Sequence, residues 1–246
     1  MRIFDLLFAS HAVCIGCGRK KRRGDFFITD GAAGLCSECS ENLKRTRRGQ
    51  SFEALSPVSY LLSPFEYSGA IVTVLRNFKF RSDFKNGDIL ARLIEDFAAA
   101  YPHLKEFDAI IPVPLSRERM NDRGFNQAEI IARAISRAVS VPVDTCTLVR
   151  TRNTRRQSDL TALERRTNII NAFEAVNDLT DKKIIIADDV YTTGITMRTC
   201  AAALKRAGAA DVIGFSAAVR IPGEKERRDF EHLRSLSLAR IRQQGK

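Results

Sequence analysis

Two adjacent carboxylates, Asp188 and Asp189, follow four consecutive apolar residues, Ile184 to Ala187, and precede a segment in which Thr192, Thr193 and Thr196 surround Gly194. The apolar run reads as a strand buried on both faces of a parallel sheet, expected to end at the acidic pair. Beyond Thr196, the stretch MRTCAAALKRAG consists of helix formers and stops at Gly208. A helix N-terminus presents unpaired N–H groups and a partial positive charge, so a phosphate is stabilised there. The threonines add hydroxyl donors, and Gly194 lacks the Cβ that would hold a ligand off the backbone. Carboxylates repel phosphate but suit sugar hydroxyls or a divalent cation that itself bridges phosphate oxygens. A solvated Asp–Asp pair before an ordinary capped helix is the simpler reading of the pair alone. The joint pattern from Ile184 to Thr196 favours one ligand carrying both sugar hydroxyls and a phosphate.

Positive charge stands on a second segment. Asp108 to Leu115 (DAIIPVPL) reads as an apolar strand fading at Pro112 and Pro114, which cannot donate to a ladder. The expected loop from Ser116 to Asn126 carries Arg117, Arg119 and Arg123. Guanidinium groups neutralise a pyrophosphate through charge-assisted, often bidentate hydrogen bonds. Arg117 is grouped with Asp188 and Asp189 as a catalytic candidate on that ground. A further basic stretch without apolar periodicity begins at Arg150 and runs to Ser158, followed by Glu164 to Asn168 and a strand-like Ala172 to Glu174.

The cysteines form a separate device. Cys14 and Cys17, then Cys36 and Cys39, make two Cys-x2-Cys pairs with eighteen residues between them. Each pair is a knuckle that turns two thiolates toward one point, and two knuckles complete a tetrahedral zinc site with no open coordination position. That site is structural rather than catalytic. Between the knuckles, Arg19, Lys20, Lys21, Arg22 and Arg23 are expected as a charged turn, followed by a strand at Phe26 to Thr29 as in a zinc ribbon. On such a scaffold the basic run is a candidate for contacts to nucleic-acid phosphates. Cys146 and Cys200 are expected in the core.

The elements that must position these groups follow from periodicity. The 246 residues suit one ordinary domain with a small appendage. We expect a zinc-ribbon module at 1–50, a linker at 51–64, a main domain at 65–222 and a charged tail at 223–246. Within the main domain, Ser68 is expected to cap a helix reaching Phe80, and further helices are expected over about 85–100 and 127–139. A strand is expected over Val141 to Val149. Alternating strands and helices indicate a parallel, doubly wound α/β sheet whose ligands gather at strand C-terminal ends. The net charge is +11, carried by the chain ends: ten basic against five acidic residues in 1–50, 22 against 20 in 51–219, and eight against four in 220–246. That distribution fits a balanced core with basic contact surfaces. No apolar run is long enough for a membrane span, and the N-terminus lacks a signal-peptide pattern, so a cytoplasmic location is expected.

The run IIIADDVYTTGIT resembles the phosphoribosyl-pyrophosphate (PRPP) loop of type I phosphoribosyltransferases. The resemblance implies that Asp188 and Asp189 engage the ribose hydroxyls and hydrated Mg²⁺, while Thr192, Thr193, Gly194 and Thr196 hold the 5′-phosphate. Tyr191 replaces a smaller residue common at its position. The stretch PVPLSRERMNDRGFNQA is similar to the "PVPL…R…RGFNQ" stretch of the ComF family, and the basic run after Arg150 to its continuing pattern. By that likeness Ser116, Arg117, Arg119 and Arg123 belong to the pyrophosphate loop. Arg155, Gln157, Arg165 and Asn168 are candidates on a loop that closes over the site and excludes water. With the cysteine module, the resemblance spans Cys14 to about Val219. It implies a type I phosphoribosyltransferase-like sheet flanked by helices, structural zinc, and Mg²⁺ bound with PRPP. It also implies a role in natural competence, with single-stranded DNA and a competence helicase as partners. Three functions stay open: a transferase acting on an unknown acceptor, a non-catalytic PRPP or nucleotide sensor that adapts DNA to a helicase, and a nucleobase-salvage transferase.

Overall fold

Apolar residues in the two central strands alternate between two helical layers, and that alternation organises the structure, a computed structural model. It describes residues 11–30, 33–47, 51–52, 54, 56–80, 84–151 and 172–221. The N-terminal part contains β1 (His11–Cys14), β2 (Lys20–Arg22), β3 (Phe26–Asp30), β4 (Ala33–Cys36) and the short helix α1 (Ser37–Glu41). Next come β5 (Leu43–Arg45), β6 (Leu61–Leu62), β7 (Phe65–Gly69), α2 (Ala70–Phe80), α3 (Phe84–Ala98) and β8 (Ala109–Pro112). The C-terminal half has α4 (Arg117–Arg123), α5 (Gln127–Val139), β9 (Leu148–Arg150), β10 (Phe173–Ala175), β11 (Lys183–Tyr191), α6 (Ile195–Arg206) and β12 (Asp211–Val219).

The main sheet has the order β5-β7-β12-β11-β8, with β6 also paired to β12. Every pairing in it is parallel except β5 with β7. Ile185, Ala187, Ile213 and Phe215 point into one core with α2, α3 and α5; Ile184, Ile186 and Val212 point into a second core under α6 and the β9–β10 pair. Such two-sided burial is what continuous apolar strands require. The sheet is therefore mixed but mainly parallel, with helices packed on both faces.

Several expectations are corrected. The strand expected to stop at Ala187 continues to Tyr191, because β12 goes on pairing with it (Asp188 with Ser216, Tyr191 with Val219) after β8 has ended at Pro112. The loop expected after Ser116 is mostly the helix α4, opened by Ser116, whose Oγ accepts the Arg119 N–H at 3.3 Å, and closed by Gly124 at φ +74°. Ser68 lies inside β7 and caps nothing; its buried Oγ has no partner among the described residues. The basic run is an edge strand at Lys20–Arg22 rather than a turn, held by β1; lysine-rich edges discourage further strand pairing. The expected strand over 141–149 reduces to Leu148–Arg150 and one bridge from Val143 to Ile110. Asp144 interrupts it, accepting the Cys146 and Thr147 N–H groups, and leaves Cys146 exposed, whereas Cys200 is fully buried as expected.

The boundaries also shift. The segment 51–64, expected as a linker, supplies β6, and Val58, Leu61, Leu62 and Ser63 are buried. Leu43–Arg45, expected in the zinc module, joins the main sheet as β5. The module itself shares the core of α3 through Ala33, Leu35 and Cys36, and Asn77 of α2 donates to the Ile15 carbonyl at 3.2 Å. The tail at 223–246 lies outside the described residues.

Candidate functional site

The acidic pair owes its accessibility to the stagger of the sheet. Ala187 is the last β11 residue paired on both sides and is fully buried; Asp188 and Asp189, beyond the end of β8, are half-buried. The Asp188 carboxylate is oriented locally, accepting the Asp189 N–H at 2.8 Å. After Tyr191 the chain turns through exposed Thr192 and Thr193 to Gly194, which adopts φ +72° as the N-cap of α6. Its carbonyl accepts the Arg198 N–H at 2.9 Å. Gly194 has no side chain with which to cap this helix, and a small concavity of about 30 Å³ beside it is lined by Asp188 and by the residues from Val190 to Met197. The Tyr191 ring lies over Gly194: a Cβ built there would fall 2.2 Å from the tyrosine oxygen. Glycine is thus required twice, by backbone conformation and by space.

Arginines arrive from two other elements. Arg123, half-buried at the end of α4, donates Nη1 to Gln127 Oε1 at 2.9 Å. Burial lowers its pKa first and the like charge of Arg119 second, while Asp189 and Asp122 oppose the shift. Arg150, at the end of β9, packs its guanidinium over Phe173, 5.4 Å from the ring centroid. It too is lowered by burial and then by Arg119, with Cys200 opposing. The Cys200 thiol on α6 is pushed well up by burial and further by Asp188, against Arg150. Arg119 thus acts on both Arg123 and Arg150, Asp189 acts on Arg123, and Asp188 and Arg150 both act on Cys200. Arg117 stands exposed at the start of α4. Arg155, Gln157, Arg165 and Asn168 lie outside the described residues. On either side of them β9 pairs with β10, and Thr151 donates to the Ala172 carbonyl at 3.0 Å.

Two further residues are brought to this region by the fold. In the sequence Arg150 heads a basic run, and its place at the end of β9 is the signal that sets it apart. Gln127 is 2% exposed; its Oε1 takes the Arg123 guanidinium, and its Nε2 has no partner among the described residues. Swinging the amide over would set its N–H groups against the arginine donors, so the orientation is fixed by chemistry. An unsatisfied buried donor costs about 1–3 kcal/mol, which makes it a candidate for a ligand oxygen.

The four cysteines converge as their spacing predicts. Their sulfurs all lie within 4.8 Å of one another, the only such His/Cys/Asp/Glu group among the described residues. A tetrahedral site with bonds of about 2.3 Å puts sulfurs about 3.8 Å apart, so the cluster fits a metal ion. Knuckle geometry is present: the Gly16 and Cys36 N–H groups each donate to Cys14 Sγ at 3.4 Å. Burial raises Cys36, but the Cys39 amide, the neighbouring thiols and Lys21 outweigh it and bring it to about 7; burial and neighbouring thiols push Cys39 up.

Residues 120–242 match the family model of the phosphoribosyl transferase domain, so the chain is a phosphoribosyltransferase-fold protein. The DNA utilization protein YhgH of Escherichia coli O157:H7 is 31% identical over 205 residues, covering 81% of this chain and 87% of its own length. Competence protein ComFC of Bacillus subtilis (strain 168) is 30% identical over 223 residues, 87% of each chain. Competence protein F of Haemophilus influenzae is 26% identical over 223 residues, covering 85% of this chain and 90% of its own. Within the phosphoribosyltransferase class, the chain belongs to the ComF family of competence proteins. No described helix is long and apolar enough to cross a membrane.

Proposed function

We propose that the chain binds Mg²⁺-PRPP at the β11–α6 loop and transfers its phosphoribosyl group to a nitrogenous acceptor. One observation carries this reading: an acidic pair on β11, beyond the end of β8 but still alongside β12, precedes a short turn into a helix whose N-cap is a left-handed glycine. Asp188 and Asp189 suit the ribose hydroxyls and the hydrated cation; Thr192, Thr193, Thr196 and the amides around Gly194 suit the 5′-phosphate. Carboxylate oxygens are the hard donors that Mg²⁺ takes, and the cation would neutralise charge on the departing pyrophosphate.

In the reaction the acceptor nitrogen bonds to ribose C1 as the C1–O bond to pyrophosphate breaks. The acceptor proton passes to solvent or to the leaving group. Arg117, Arg119, Arg123 and Arg150 are assigned to stabilising the anionic oxygens of the departing pyrophosphate. The segment carrying Arg155, Gln157, Arg165 and Asn168 is assigned to closing the site against water. Electrostatic stabilisation of the departing pyrophosphate would reduce the need for a general base.

The cysteine cluster is assigned to structural zinc, which suits a reducing, cytoplasmic setting. The basic strand β2 and the names of the relatives, competence and DNA utilization proteins, support single-stranded DNA as partner and handling of imported DNA as the setting, alongside a competence helicase. A pyrophosphate-release screen over nucleobases, nucleotides and single-stranded DNA tests turnover. Release dependent on one acceptor class supports the transferase. Binding of PRPP with no release from any class would leave the second reading, a sensor that reports nucleotide state to a DNA-bound helicase.

A further inference from the structure

Among the described residues, Phe27 is the most exposed of the large apolar side chains, at 60%, and the only aromatic one. Its outward position is built into the fold. The register of β3 against β4 shifts between Phe26 and Ile28, and both of those neighbours pack against the core while Phe27 turns away. The Arg45 guanidinium lies over the ring, 5.5 Å from its centroid. That guanidinium is itself anchored: Nη1 donates to the Ser40 carbonyl at 3.0 Å and Nη2 to the Ser40 hydroxyl at 3.1 Å, and Ser40 is buried. A ring and a guanidinium held against each other make a preorganised surface, and such surfaces accept a further flat group at little entropic cost.

The surrounding charge is cationic. Lys44 is exposed beside Arg45, and the Arg19–Arg23 run ends just before β3. Glu38 engages Lys21 at 3.0 Å and Arg19 at 3.9 Å, while Lys20 and Arg22 stand exposed on β2 in the same four-stranded sheet as Phe27. An acidic peptide would use the lysines and arginines but has no use for the ring. A duplex offers phosphates but keeps its base faces within the stack. Unpaired bases offer both phosphates and a free π-face.

We propose that Phe27 and Arg45 form a stacking platform for one unpaired base of a single-stranded nucleic acid whose phosphates run along Lys20 and Arg22. This rests on the DNA-binding reading above and assigns it a specific residue pair.

The chain contains no tryptophan, so Phe27→Trp in the full chain creates a single fluorophore at the platform. Titration with oligodeoxythymidylate should quench its emission. Phe27→Ala should weaken oligonucleotide affinity about tenfold, within the usual range for one base–aromatic stack, with an unchanged salt slope because no phosphate contact is lost. Phe27→Tyr should restore affinity, and Lys20→Ala with Arg22→Ala should flatten the slope. Salt-dependent binding with no quenching and full affinity in Phe27→Ala would remove the platform and leave DNA binding standing. Failure of the unsubstituted chain to bind at low salt would remove both. Equal quenching by duplex would overturn the single-strand assignment. A blue-shifted emission indifferent to oligonucleotide would show the ring covered by another part of the chain.

Discussion

Gly194→Ala tests the backbone of the proposed phosphate loop, and its cost divides into two parts. Gly194 sits at φ +72°, ψ −1°, and an L-residue held in that region costs about 1–2 kcal/mol. The added Cβ would lie 2.2 Å from Tyr191 Oη and 2.5 Å from Cζ, so the ring must swing aside, at about 0.5–1.5 kcal/mol for an off-rotamer side chain. The total is about 1.5–3.5 kcal/mol, and each kcal/mol lowers the Tm of a chain this size by about 2–4 °C. Urea denaturation of Gly194→Ala, Tyr191→Ala and the double variant separates the parts. Tyr191→Phe would not serve, because Cζ remains. In the Tyr191→Ala background the glycine substitution should cost only the backbone part, giving non-additivity of about 0.5–1.5 kcal/mol. A cost below about 0.5 kcal/mol would refute the left-handed loop. Equal costs in both backgrounds would refute the contact between ring and loop.

Further outcomes follow from the same geometry. Gln127→Leu removes a buried donor with no described partner and also the Arg123 anchor; stability should change by less than about 1 kcal/mol while PRPP affinity, read by calorimetry, falls several-fold. Elemental analysis should return one zinc per chain, and Cys36→Ser should lose the metal and lower the Tm, because Cys36 shares the core packed by α3. The Asp144 carboxyl lies below its ordinary 3.8, with the Thr147 and Cys146 hydrogen bonds outweighing burial. A depressed carboxyl stabilises above its unfolded pKa and loses that contribution as pH falls through the folded value. Asp144→Asn should therefore destabilise at pH 7, and the gap from the unsubstituted chain should narrow below about pH 4 in acid-denaturation curves.

Local signals made some elements legible and tertiary ones did not. Helix α5 was readable at both ends, because Asn126 caps it, accepting the Ala128 N–H at 3.1 Å, and its apolar positions recur on one face. The cysteine cluster and the β11–loop–α6 unit were readable because each is contiguous chemistry. Helix α4 was missed because RERMNDR buries no residue and so shows no periodicity, leaving only the Ser116 and Gly124 boundary signals. The two-residue strand β6 is too short to show alternation, and its burial is imposed by β12. The continuation of β11 through the acidic pair is likewise set by its neighbour β12. Arg150 comes near Cys200 only because the fold packs β9 against α6, a proximity that no spacing in the sequence encodes.

Calorimetric titration of Mg²⁺-PRPP into the full chain and into the Asp188→Asn/Asp189→Asn double variant tests the central claim most directly. We expect one saturable site in the unsubstituted chain and at least tenfold weaker binding in the variant, since charged hydrogen bonds contribute about 1.5–3 kcal/mol each. Equal affinity in the two proteins, with the variant folded by circular dichroism, would contradict the assignment of Asp188 and Asp189 to the ribose and its cation.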